Sequence, residues 1–303
     1  MGRVEMTTKC ILIVGGDSFL GKTLTTHLFA LGHSVTTTTR QKEQVGPNKI
    51  YVDLAQLPNQ IPVGFDVCIL LAGIWNYQEC ESSPLAWTVN VDNMQLFAGQ
   101  LLKSNSHVTF VSSNTVFGGH RPWCNEDDPH TPAFAYAKHK AAGESAILKT
   151  AAAGSAEDRL SIVRLTKILG VETSPIPSWL DDFAAGKPVT PFSDLIFSPV
   201  SIEFAAKGVA QIALSELHGN FHLSGKENID YFRFAINLAE NFGFDPSIII
   251  PITSTEAGIS IPFLPAYSGL GMNRTQSMVG ISPQPLVDVM NDLLNQYKSG
   301  TTS

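Results

Sequence analysis

Three polar residues in this chain are spaced so that they could move a proton. Ser113 closes the apolar run Val108 to Val111, and Tyr136 and Lys140 follow in the stretch Tyr136-Ala137-Lys138-His139-Lys140. That stretch reads as the start of a helix, on which an i, i+4 pair shares one face. A phenol with a pKa near ~10 exchanges protons poorly at neutral pH unless a cation stabilises its phenolate. Lys140, one turn away, is the cation placed to do so. A Tyr and a Lys at this spacing occur on many surface helices, and what sets this pair apart is the hydroxyl at a strand end upstream of it. Ser113 lacks the GxSxG elbow of a serine hydrolase.

The elements that would position these residues are legible upstream. Cys10 to Val14 is an apolar run ending in Gly15-Gly16-Asp17-Ser18-Phe19-Leu20-Gly21, after which Leu24, Leu28 and Leu31 recur at helical spacing. This is strand, glycine turn, helix. Gly15 permits the tight turn, Gly21 close helix packing, and the backbone N–H groups between them, at Asp17, Ser18, Phe19 and Leu20, can cradle a pyrophosphate. The middle glycine of the pattern is replaced by Ser18.

Further strands are predicted at 34–39, 49–52, 66–71, 107–111 and 160–165, with helices over 84–103 and 133–150. Alternating units of this kind imply an α/β fold, a Rossmann-type doubly wound parallel sheet. The second strand ends Thr36-Thr37-Thr38-Thr39-Arg40. The carboxylate that accepts from an NAD ribose is missing there, and Arg40 could pair with a 2′-phosphate, so NADP(H) is the expected cofactor. Read blandly, Arg40 is a solvated loop charge. Asp53, beside Leu54, could accept from an adenine amino group, and Leu71-Ala72-Gly73 offers small residues where a cofactor must pass closely; each is equally consistent with a turn.

Beyond Gly170 prolines crowd the chain, and the stretch reads as loop rather than central sheet. Helices are expected at 202–217, 231–242 and 285–297 and a strand at 220–223. The expected division is a nucleotide-binding domain over 1–168 and a smaller substrate-binding lobe over 169–303, with 200–224 returning to the first domain.

With 303 residues the chain can bury a large core, and a formal charge of −7 with few basic clusters argues against a nucleic-acid partner. His120, His130 and His139 lack metal-ligand spacing, so no metal is expected. The four cysteines form no CxxC pair, and Cys10 and Cys68 sit in apolar runs, as buried thiols of a reducing cytosol would. Met1 to Lys9 is polar and resembles neither a signal peptide nor a membrane anchor, so the expected location is cytoplasmic, without a membrane partner.

Together, the glycine turn, Asn90-Val91-Asp92, Ser112-Ser113 with Val116-Phe117-Gly118, and Tyr136 to Lys140 resemble the extended short-chain dehydrogenases, over most of residues 10 to 225. Glu126-Asp127-Asp128-Pro129, Ala142-Gly143-Glu144, Phe197-Ser198-Pro199-Val200 and Phe221-His222-Leu223-Ser224-Gly225 are most similar to the dTDP-4-dehydrorhamnose reductase group. The resemblance implies that Tyr136 protonates a carbonyl oxygen while a nicotinamide delivers hydride, that Ser113 hydrogen-bonds that oxygen, and that Lys140 also holds the nicotinamide ribose. It gives Asn90 a supporting place beside the cofactor. The substrate would be a small carbonyl compound, a nucleotide-linked sugar in this group, with Asn114, Thr115 and Arg274 toward it and a homodimer as an open option. Arg121 and Lys187 are further cations for a pyrophosphate.

Two other readings compete. Dehydratases of this family carry Asp-Glu after the catalytic hydroxyl residue, where this chain has Asn114 and Thr115, neither able to do carboxylic acid-base work. An epimerase would retain NAD, against which Arg40 argues. A non-catalytic, NADP-binding regulatory subunit, as of methionine adenosyltransferase, shares the reductase fold.

Overall fold

Ile11 to Val14 is apolar at every position, and such a strand is stable only with both faces covered. In the computed structural model, which describes residues 7–57, 60–261 and 263–300, this segment forms β1 (Cys10–Val14). Ile11, Leu12 and Ile13 are wholly buried, whereas Cys10, at the strand's first position, is exposed. The expectation of a buried thiol there is therefore corrected: a strand's first residue lies at the rim of the sheet, where an apolar run does not guarantee burial. Of the polar lead-in, Met1 to Met6 lie outside the described residues.

After β1 come α1 (Phe19–Ala30), β2 (Ser34–Thr39), β3 (Lys49–Tyr51), β4 (Val67–Leu70), α2 (Tyr77–Ser82), α3 (Pro84–Trp87), α4 (Met94–Lys103), β5 (His107–Ser113), α5 (Ala135–Ala153) and β6 (Leu160–Leu165). The helix predicted over 84–103 is interrupted by a π-helical turn at Thr88–Asn93. Then follow β7 (Lys167–Leu169), α6 (Ile176–Ala184), β8 (Ile196–Phe197), β9 (Pro199–Ser201), α7 (Ile202–Ser215), β10 (Gly219–Leu223), β11 (Ile229–Asp230), α8 (Tyr231–Phe242), α9 (Asn273–Val279) and α10 (Leu286–Gly300). No described helix is long and apolar enough to cross a membrane.

The main sheet has seven strands in the order β10-β6-β5-β4-β1-β2-β3, with β1 parallel to both β2 and β4. The order reverses direction between β1 and β4, and open sheets of this kind bind ligands at that switch point, outside the carboxyl ends of the strands. One core joins Leu12, Leu70 and Phe110 of the sheet to Phe97 of α4 and Ile147 of α5. Gly143 lets α5 approach closely, since a Cβ there would stand 2.9 Å from the Asn90 carbonyl oxygen.

The chain forms two compact units, Met1–Ser113 with Ala135–Arg164 and Ala206–Phe221, and Asn114–Phe134 with Leu165–Ala205 and His222–Ser303. In the second unit β7 runs parallel to β9 and β8 antiparallel to β11. Trp179 and Phe183 of α6, Phe234 and Leu238 of α8 and Leu293 of α10 form its core. The proline-dense stretch read as loop contains α6. Pro175 is its N-cap and Pro177 lies in its first turn, where a missing N–H leaves no hydrogen bond unmade.

Candidate active site

The glycine turn is shaped by backbone contacts that side chains would block. Gly15 has φ +96°, and a Cβ on it would stand 2.8 Å from the Ala72 nitrogen; one on Gly16 would meet the Thr37 side chain at 2.5 Å, and one on Gly21 the Gly15 carbonyl oxygen at 2.4 Å. The Gly15 N–H is fixed by donating to Thr38 Oγ1 at 3.0 Å. Ser18 takes the middle glycine's place without strain, at φ −68° and ψ 161°, as the N-cap of α1. Its hydroxyl accepts from the Gly21 N–H at 3.0 Å and donates to the Gly15 carbonyl at 2.7 Å. Phe19 and Leu20, the first two residues of α1, have N–H groups with no intrahelical acceptor. A cradle that side chains would fill, with orphan donors at its edge, fits a dinucleotide pyrophosphate.

At the end of β2, the Asp17 carboxylate accepts from Lys49 Nζ at 2.8 Å. Burial would raise the Asp17 pKa, but hydrogen bonds from Lys49 and Thr39 and the charges of Lys49 and Lys22 outweigh it, and Asp17 titrates below the usual carboxylate value. Arg40 follows Thr39 and is exposed. Asp53 closes a turn by accepting from the Ala55 N–H at 2.9 Å, and buried Leu54 accepts Asn93 Nδ2 on its carbonyl at 2.7 Å. Sequence reading missed Lys49, whose partner is remote in sequence.

Ser113 ends β5 and Tyr136 lies in the first turn of α5, and their hydroxyls are hydrogen-bonded. Burial pushes the Tyr136 phenol well above its usual pKa, with Tyr77 and Cys80 adding to the effect and the Ser113 hydrogen bond opposing it. Lys140 donates to the Val111 carbonyl at 2.8 Å and lies over the Phe110 ring, 4.2 Å from its centroid. Burial lowers Lys140 to about 8, against the opposing charge of Glu144. The sequence reading gave Lys140 the task of lowering Tyr136. Here burial is the largest influence on the phenol and acts the opposite way.

Tyr77, which the sequence reading passed over, packs its ring on that of Tyr136 with centroids 5.6 Å apart and planes inclined at 33°. Asn90, in the π-helical turn, binds both backbone groups of Ile74: Oδ1 accepts from the Ile74 N–H at 2.7 Å and Nδ2 donates to the Ile74 carbonyl at 2.8 Å, with a further contact from Nδ2 to Cys80 Sγ at 3.9 Å. It thereby fixes the segment after β4 that holds Leu71, Ala72 and Gly73, and a Cβ on Gly73 would stand 3.0 Å from Asn90 Oδ1.

In the second unit, Asn114 Nδ2 donates to the carbonyl and the hydroxyl of Ser268, both at 2.9 Å. Thr115 lies beside it, partly exposed. Arg274 lies in the first turn of α9, pairing with Asp127 at 2.6 Å, while its backbone N–H donates to buried Glu126 at 3.0 Å. Arg121 pairs with Asp128 at 3.2 Å. Among the described residues no group of three or more His, Cys, Asp and Glu could hold a metal.

The family described as RmlD substrate binding domain matches residues 8–299. A dTDP-4-dehydrorhamnose reductase of Aggregatibacter actinomycetemcomitans is 26% identical over 225 residues, which are 65% of this chain and 69% of that protein. The methionine adenosyltransferase 2 subunit beta of Danio rerio is 28% identical over 159 residues, 50% of this chain and 49% of that protein. Among solved structures, the dTDP-4-dehydrorhamnose reductase of Bacillus anthracis in complex with NADP has a TM-score of 0.80 at 17% identity, covering 95% of this chain and 99% of that one. The dTDP-glucose 4,6-dehydratase DesIV of Streptomyces venezuelae, with NAD bound, has a TM-score of 0.76 at 16% identity over 97% of this chain and 98% of that one. The shared fold is the Rossmann-type α/β architecture read from the sequence.

Proposed function

The chain belongs to the RmlD substrate binding domain family, and from that premise we propose that it is an NADPH-dependent reductase acting on a carbonyl, the keto group of a nucleotide-linked sugar. The reading is carried by Tyr136, a phenol in the first turn of α5 that is hydrogen-bonded to Ser113 at the end of β5. Its relatives support the substrate class, since a dTDP-4-dehydrorhamnose reductase aligns over most of its length.

When bound, NADPH supplies the hydride that adds to the carbonyl carbon. Tyr136 gives its hydroxyl proton to the carbonyl oxygen, which stays on the substrate as the alcohol hydroxyl. Ser113 orients the phenol and offers a second hydroxyl to the same oxygen. Lys140, charged below about pH 8 and donating to the Val111 carbonyl, would also hold the nicotinamide ribose. Glycine turn and helix start hold the pyrophosphate. Asn114 and Arg274 each hold a partner within their own unit, Ser268 and Asp127.

The test is NADPH oxidation in the presence of a dTDP-4-dehydro-6-deoxyhexose, with the alcohol product measured in equal amount. Tyr136→Phe removes only the hydroxyl and should lower turnover by about 10²-fold or more with cofactor binding retained. Lys140→Met should lower both turnover and cofactor affinity. Wild-type turnover in Tyr136→Phe would remove the proton donor. The likeness to a methionine adenosyltransferase subunit favours a second reading, a non-catalytic NADP-binding subunit. Its signature would be NADPH held but never consumed across a panel of carbonyl substrates.

A further inference from the structure

Side chains of a strand alternate between faces, so Thr37 and Thr39 of β2 share one side of the sheet with Lys49 and Tyr51, their register partners on β3. The turn residue Asp17 meets that side, taking the Lys49 ammonium at 2.8 Å and a hydrogen bond from Thr39. Lys49 also reaches Gln44 Oε1 at 3.3 Å. Both charged side chains keep 33% of their surface exposed, and a pair so open to solvent exchanges partners readily.

In this fold the adenosine ribose of a dinucleotide lies off the end of β2, which here is Thr39. A lone carboxylate at that place accepts from a 2′-hydroxyl and repels a 2′-phosphate; a lone ammonium does the reverse. This chain has one of each, in contact, and exposed Arg40 follows Thr39 at the strand's end. We propose that Lys49 is the second cation of a 2′-phosphate subsite, next to Arg40, and that Asp17 is both its counter-ion and the acceptor for an unphosphorylated ribose, so that the pair sets the preference between the two dinucleotides. When a 2′-phosphate arrives, Lys49 leaves Asp17 for the stronger anion, and the charge of Asp17 limits how tightly that anion is held. The inference rests on the dinucleotide reading above.

Equilibrium titration of NADPH and NADH into the full chain tests it, with adenosine 2′,5′-bisphosphate against 5′-AMP as probes that need no nicotinamide contact. Lys49→Met should weaken NADPH and the bisphosphate by about tenfold or more while NADH binds as well or better. Lys49→Arg should keep the wild-type preference. Asp17→Asn should move the preference further toward NADPH by weakening NADH. A preference ratio within about twofold of wild type in both Lys49→Met and Asp17→Asn would overturn the assignment of the pair while leaving the cofactor reading intact. A wild-type protein that binds neither dinucleotide would overturn both.

Discussion

Ser18 occupies a position where the dinucleotide turn usually has glycine, and it does so by capping. Its extended backbone needs no left-handed conformation, and its hydroxyl satisfies the third N–H of α1. Ser18→Ala should therefore cost about 1 kcal/mol, whereas Ser18→Gly should cost only a few tenths, a difference that urea unfolding resolves. At Lys140 the consequence is one of pH. Burial lowers its pKa to about 8, so the ammonium is present below that value and lost as pH rises through it. The profile of kcat/KM should fall on its basic side with an apparent pKa near 8, and Lys140→Arg, where the residual activity is measurable, should carry that limb to higher pH. The residues that sequence made legible, Gly15, Ser113, Tyr136 and Lys140, sit at strand ends or one helical turn apart. Lys49 and Tyr77 escaped because only the folded chain brings them to Asp17 and Tyr136.

Between elements, the bond of greatest consequence joins α5 to β6. Arg164 and Glu144 are almost wholly buried, and the guanidinium bonds the carboxylate through Nε at 3.1 and 3.2 Å and through Nη2 at 2.7 Å. Desolvating the pair offsets much of its attraction, but removing one partner strands a charge in the core. Arg164→Met should destabilise by roughly 3–5 kcal/mol, and adding Glu144→Leu should recover much of that loss, as a double-mutant cycle by thermal unfolding would measure. The alternation of strands and helices in the first half was legible because buried parallel strands and amphipathic helices leave different periods. The break at Thr88–Asn93 was not, because the Asn90 amide is fastened to Ile74, a contact that local sequence does not express. Prolines that open α6 read as helix breakers for the same reason: their meaning depends on which turn they occupy.

On the scale of the molecule, a net charge of −7 coexists with a basic corner at the end of β2, where the charges of Lys22 and Lys49 act on Asp17 and exposed Arg40 follows Thr39. Cofactor affinity should then be local in origin and sensitive to salt. Raising ionic strength should weaken NADPH more steeply than NADH, because only the former adds a phosphate at that corner; parallel slopes would count against a 2′-phosphate contact there.

The first unit is written in three separate stretches of chain, the last of them Ala206–Phe221. During translation, then, β6 emerges long before β10, its neighbour on the outer side, and every residue of β6 is buried in the finished fold. For that interval the nascent sheet has an open, apolar rim of the kind that invites intermolecular pairing. A fragment ending at residue 168 would freeze the chain at that stage, and it should be recovered from cells as aggregate where the complete chain is recovered as folded protein.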